Sequence, residues 1–202
     1  MRMTIQPLFL VMLLCIALSG HVATYSLILL SLLFHEFGHL AAAKCAGVRV
    51  RSCEIMPYGG EITFMNEYEL TSKQSLIVAL GGPVASLVGI LIAFFLPEPI
   101  AKPLIHYQSI ILFVNCLPFW PLDGGRIFYY TMLVLKPNLK IYASFLSLSL
   151  CFFTIIFLLA LFLFEQYVLA LLSVFLLIQV AKEWRLRKYR AAYEKIVLNR
   201  LT

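Results

Sequence analysis

Ala143 to Phe164 runs 22 residues without one charged side chain. A membrane-crossing helix needs about 20 mostly apolar residues, so a bilayer is the natural solvent for this segment. The rest of the chain agrees: 62% of its residues are hydrophobic and 13% charged, against about 45–50% and about 25% in soluble domains. The reading is an all-α membrane protein with about six transmembrane helices, at roughly 5–19, 22–43, 75–96, 104–122, 143–164 and 166–181. Only Ser19-Gly20-His21 separates the first two, which reads as a tight helical hairpin, and the last two part near Glu165. Residues 1–181 then form one polytopic membrane domain, and 182–202 a basic cytoplasmic tail.

Orientation follows from the basic residues. With both termini in the cytoplasm, fifteen of the sixteen Lys and Arg residues fall inside, and Lys102 alone falls outside. That asymmetry is what the positive-inside rule requires, and it supports an even number of spans in a multi-pass cell-membrane protein. A competing reading concerns the start. Arg2, an apolar run and Ala17-Leu18-Ser19 before Gly20 resemble a signal peptide; cleavage there leaves five spans in the same orientation.

Between the second and third spans the pattern changes. Val48-Arg-Val-Arg-Ser-Cys-Glu-Ile alternates apolar and polar residues, Pro57-Tyr-Gly-Gly60 makes a turn, and Glu61-Ile-Thr-Phe resumes the alternation. This is the signature of a short β-hairpin lying at the cytoplasmic membrane interface. The five cysteines form no CxxC pair and read as free thiols, mostly packed in helices. The net charge of +6 does not point to nucleic acid, because seven basic residues lie in the tail after Ala181. There they serve as an orientation anchor at anionic lipid, with a docking surface for an acidic partner as the sharper alternative.

Ionisable groups inside a membrane are costly and usually functional. The second span contains His35-Glu36-Phe37-Gly38-His39. His35 and His39 are four apart and share a helix face, so their imidazoles can converge on one metal. Glu36 projects beside them as a general base. This is the HExxH arrangement of zinc hydrolases, with Gly38 keeping the backbone open between the ligands. A tetrahedral catalytic zinc takes a third protein ligand and leaves a place for water. Asp123, the sole aspartate of the chain, is the candidate; it ends the fourth span within Asn115-Cys-Leu-Pro-Phe-Trp-Pro-Leu-Asp-Gly-Gly125. Two prolines and two glycines break regular helix there, which membrane depth tolerates only where protein or a water-filled cavity satisfies the backbone. At 1.5 Å per residue, His35 to His39 lie about 20–26 Å along their span and Asp123 about 28 Å along its own, both toward the cytoplasmic side. His106 opens the fourth span at the outer interface. The bland alternatives are a hydrogen-bonded histidine pair, a neutral Glu36 bonded between helices, and Asp123 in a solvated turn.

HEFGH in an early span, followed by Asn-x-x-Pro-x-x-Pro-Leu-Asp-Gly-Gly, resembles the site-2 protease family of intramembrane zinc metalloproteases (peptidase family M50). Pro57-Tyr-Gly-Gly60 looks like the family's Gly-Gly turn, and Gly81-Gly-Pro83 with Ala85-Ser86 like the start of its third core span. The compact plan is most similar to the stage IV sporulation protein FB branch, without that branch's CBS domain and without the PDZ domain of others. The resemblance implies one Zn²⁺ on His35, His39 and Asp123, Glu36 as base then acid, and Asn115 as a contact to substrate or to the developing oxyanion. For Asn115 an interhelical bond or cap is the plain alternative. It implies a membrane-spanning or membrane-tethered protein substrate, a regulatory membrane protein as partner, no nucleic acid, and activation of a pro-sigma factor during sporulation. Two other classes compete: a zinc transporter, whose polar residues would line the whole bilayer rather than one depth, and a non-catalytic membrane scaffold, which has no need of Glu36.

Overall fold

The computed structural model describes residues 2–5, 18, 20, 22–56, 59–64, 70–135, 140–162 and 170–186. The expected first span, all but Ile5 and Leu18, lies outside them, as do the Pro57-Tyr58 part of the expected turn, the break near Glu165 and the tail beyond 186. Two compact units divide the chain, Met1–Leu117 and Pro118–Thr202.

The first unit holds β1 (Arg2–Ile5), α1 (Val22–Cys45), β2 (Val50–Met56), β3 (Gly59–Phe64), α2 (Ser72–Ala93) and α3 (Glu98–Asn115). β2 pairs antiparallel with β3, from Met56 opposite Gly59 to Val50 opposite Phe64, with a register irregularity between Val50 and Ser52. β1 pairs parallel with the other side of β2, Arg2 opposite Ser52, and gives the sheet order β1-β2-β3. The alternation at 48–64 announced β2 and β3; nothing in four N-terminal residues announced β1.

α1 ends where Gly47 takes a left-handed φ of 71°. The Gly47 N–H donates to Lys44 O (3.1 Å) and the Val48 N–H to Ala43 O (2.9 Å). These are the two bonds of a Schellman cap, and Val48 packs on Ala43 and Val78 as that motif favours. α2 begins with a capping box: the Gln74 N–H donates to Thr71 Oγ1 (3.3 Å) and the Thr71 N–H to Gln74 Oε1 (3.0 Å). The Gln74 amide also donates to Ala46 O at 3.1 Å, tying the start of α2 to the end of α1.

Many buried positions on these helices are small or polar, among them Ser31, Gly38, Gly82, Ser86, Gly89 and Gln108. Leu30, Val84, Leu87, Leu91 and Phe113 are exposed. This inverts the soluble pattern and follows from a lipid solvent, in which helices associate through close backbone approach rather than through burial of leucine. Gln108 carries this further. Its Nε2 donates to Ser31 O at 3.3 Å, in the space that Gly89 leaves open.

The second unit holds α4 (Asp123–Leu135), α5 (Lys140–Phe162) and helical residues 170–186, here α6. Its core is aromatic: Trp120, Tyr129, Tyr142, Phe145, Leu146, Phe153 and Val180. Trp120 presents edges to Tyr129 and Tyr142, and Phe119 stacks on Phe152 at 3.6 Å. The Tyr142 hydroxyl donates to Glu183 Oε2 at 2.8 Å.

Among the described residues, three helices are long and apolar enough to cross a membrane: Val22–Cys45, Ser72–Ala93 and Tyr142–Phe162. The span expected at 104–122 needs correction. Its helix starts earlier, at Glu98, and stops at Asn115, because Pro118 and Pro121 cannot donate to a continuing ladder. His106 therefore lies within α3, exposed, rather than opening the helix. Asp123 does not end a span; it opens α4.

Candidate metal centre

α1 has no proline and is rich in leucine and alanine, so it runs unbroken through the HEFGH motif. His35 and His39 fall one turn apart on the face turned to α2 and are buried, at 2% and 7% exposure. Their rings meet edge-on, centroids 5.0 Å apart. The seam between α1 and α2 is backbone against backbone. A Cβ on Gly38 would strike Gly81 O and the Ala85 Cβ, and one on Gly81 would strike Gly38 O. Gly38 thus serves the helix crossing, where the sequence suggested only an opening between the ligands.

α2 supplies a hydrogen-bond partner to each ring. His35 Nδ1 lies 2.9 Å from Ser86 Oγ, and His39 Nδ1 lies 2.8 Å from Val78 O. A carbonyl can only accept, so His39 carries its proton on Nδ1 and keeps the Nε2 lone pair for another task. The Gly82 N–H also lies 3.2 Å from His39 Nδ1. A protonated Nδ1 cannot accept it, and the shorter contact to an obligate acceptor decides the tautomer.

Both Nε2 atoms then point at the same place. A Cβ built on Gly82 would land against the Nε2 of His39 and the Nε2 of His35 together. The absent side chain is a cradle lined by two imidazole nitrogens, and the two rings offer nitrogens within 4.8 Å of each other. Zinc binds such nitrogens at about 2.0–2.1 Å and prefers ligand histidines whose second nitrogen is hydrogen-bonded. The residues fit the ion on both counts.

Glu36 sits half-buried on the neighbouring face of α1. Asn115 occupies the last turn of α3, where its Nδ2 donates back to Ile111 O at 3.0 Å within the same helix. Asp123 belongs to the second unit, 5% exposed, as the first residue of α4. A carboxylate is favoured at a helix N-terminus by the orphan N–H groups and the dipole. The chain before it folds tightly: Leu122 N–H donates to Phe119 O (3.0 Å), Trp120 N–H to Ser149 Oγ (3.0 Å), and a Cβ on Gly125 would strike the Phe119 carbonyl. Trp120-Pro121 is a cis peptide bond. Pro-Leu-Asp-Gly-Gly is therefore the folded entry to a helix, not an open surface turn. Val78, Gly82 and Ser86 escaped the sequence reading as parts of the site. The available signal was their spacing of four on one face of an apolar helix.

Residues 23–106 match the model of Peptidase family M50. The chain is 31% identical over 182 residues to stage IV sporulation protein FB of Bacillus subtilis, which spans 85% of this chain and 62% of that one. It is 30% identical over 112 residues to a zinc metalloprotease of Methanocaldococcus jannaschii, 51% of this chain and 32% of that protein. The chain thus spans less than two thirds of the length of these curated relatives. The solved site-2 protease from Methanocaldococcus jannaschii superposes with a TM-score of 0.64 at 21% identity, over 91% of this chain and 92% of that one. With its three apolar helices, the chain is a membrane protein. Residues 23–106 thus resemble peptidase family M50, in a chain that has the fold of the solved site-2 protease.

Proposed function

We propose that this chain is an intramembrane zinc metalloendopeptidase that hydrolyses peptide bonds of membrane-spanning or membrane-tethered proteins. The observation that carries the reading is the pair of Nε2 atoms converging above Gly82. His35, His39 and Asp123 are the ligands; the buried position of Asp123 at a helix start supports its place in the set, since a buried carboxylate needs a strong partner. A bound zinc ion supplies Lewis acidity, which makes a water molecule an effective nucleophile near neutral pH. Glu36 takes the proton of the attacking water and hands it to the leaving amine. Asn115, freed from Ile111, contacts the substrate or the developing oxyanion.

A substrate helix must unwind before its carbonyls can react. Both edges of β2 are filled, by β1 and β3, so strand addition by an unwound substrate belongs to an outer edge of the sheet. The charge asymmetry supports cytoplasmic termini and a site toward the cytoplasmic side. Similarity to a sporulation protein supports a pro-sigma factor as the substrate class and a membrane protein as regulator.

The test is co-expression with membrane-tethered candidate substrates, comparing the native enzyme with Glu36→Gln. The variant should keep zinc and lose about 10²–10⁴-fold in cleavage. Equal cleavage by both removes Glu36 from its role.

A further inference from the structure

The two histidines are held by chemically different partners, and the difference singles out one side chain. α1 and α2 run antiparallel with their small faces together, so levels along the seam can be read as rungs. At one rung His39 meets Val78 O; at the next, both Nε2 atoms meet the bare Cα of Gly82; above that, His35 meets Ser86 Oγ. The following rung is Gly89, whose missing side chain admits the Gln108 amide that donates to Ser31 O. Ser86 is therefore bracketed four residues before by the Gly82 cradle and three residues after by the Gly89 contact. It has no exposed surface, so its hydroxyl is fixed opposite one ring nitrogen.

We propose that Ser86 is a positioning residue for zinc: its hydroxyl oxygen accepts the His35 Nδ1–H, which holds the ring in the tautomer and rotation that present Nε2 to the ion. The reason a hydroxyl matters here is its ambivalence. The Val78 carbonyl admits only one tautomer of His39. A serine can donate as well as accept, so with Nδ1 bonded to Ser86 the ligating tautomer of His35 is the one in which Ser86 accepts, and that hydrogen bond goes when the oxygen is removed. Nothing else in the α2 seam at this level carries a polar side chain: Gly82, Pro83 and Ala85 flank it. Ligand partners of this kind change metal affinity by about 10–100-fold when removed.

The inference rests on zinc binding by His35 and His39, so the experiment measures that first. Detergent-solubilised native protein, Ser86→Ala and Ser86→Thr are titrated with zinc against a competing chelator. The cobalt(II) forms are recorded by absorption, and the metal-free proteins by thermal unfolding. The expected result is a 10–100-fold weaker zinc affinity and an altered cobalt spectrum for Ser86→Ala, near-native values for Ser86→Thr, and a common unfolding midpoint without metal. If the native protein binds no zinc, the reading of the site fails. If native and Ser86→Ala bind equally well, only the role of Ser86 fails. Equal weakening in Ala and Thr, or a metal-free Ser86→Ala that does not fold, also overturns it, since either makes Ser86 a packing residue.

Discussion

At the scale of single residues the site depends as much on missing atoms as on present ones. Gly82 is the sharpest case, because its hydrogen occupies the space that a methyl group would take from both Nε2 atoms. The rings cannot swing away without giving up Ser86 Oγ and Val78 O. Gly82→Ala should therefore abolish stoichiometric zinc binding, measured by atomic emission of the purified protein. Overpacking of this kind costs about 1–3 kcal/mol, so the metal-free fold should survive; zinc retained at one per chain would show the cradle to be elsewhere. Of the candidate site, the shared helix face of His35 and His39 was legible in the sequence, because a four-residue spacing on a helix needs no tertiary information. Val78 was not legible in principle, since it acts through its carbonyl and any residue would serve.

Elements show why one residue type has two meanings. Gly38 and Gly47 are nine positions apart, yet alanine should affect them differently. At Gly47 a Cβ meets nothing within 4 Å, and the penalty is the left-handed backbone alone, about 1–2 kcal/mol. At Gly38 the Cβ runs into the Gly81 carbonyl, a rigid neighbour, so the helices must part. Gly38→Ala should lose most of the folded protein, and Gly47→Ala should lower the unfolding midpoint only modestly, both read from denaturant titration in detergent. Comparable losses would show that the seam yields more easily than its geometry indicates. The same scale explains what the hydropathy pattern reached. Expected spans at 22–43 and 75–96 lie within a few residues of Val22–Cys45 and Ser72–Ala93, because length and apolarity decide them locally. α4 was misread because Asp-Gly-Gly is poor helix-forming sequence; its start is fixed instead by Phe119, Trp120 and Ser149. β1 has a partner some fifty residues away, beyond the reach of any local pattern.

For the whole molecule, a ligand that binds only the folded state raises stability by mass action, about 2.7 kcal/mol at a hundredfold excess over Kd. If Asp123 completes the ligand set, zinc should raise the unfolding midpoint of the native protein and raise that of Asp123→Asn far less, in a thermal scan with and without added zinc. An equal rise in both would leave the histidine pair as ligands and remove Asp123. Among the described residues the exposed side of the long helices is rich in leucine, valine, isoleucine and phenylalanine; detergent or lipid is thus part of the native state in which such scans are to be run.

The His39–Val78 contact has a further implication for how such a centre drifts over generations. A main-chain oxygen cannot be mutated away, so any neutral change at position 78 that leaves the helix intact carries this half of the geometry forward unaltered. The opposite ring has no such insurance: a single codon change at position 86 can unhook it. Divergence among descendants of this scaffold should therefore be limited only by packing beneath one imidazole, and by the hydroxyl itself beneath the other.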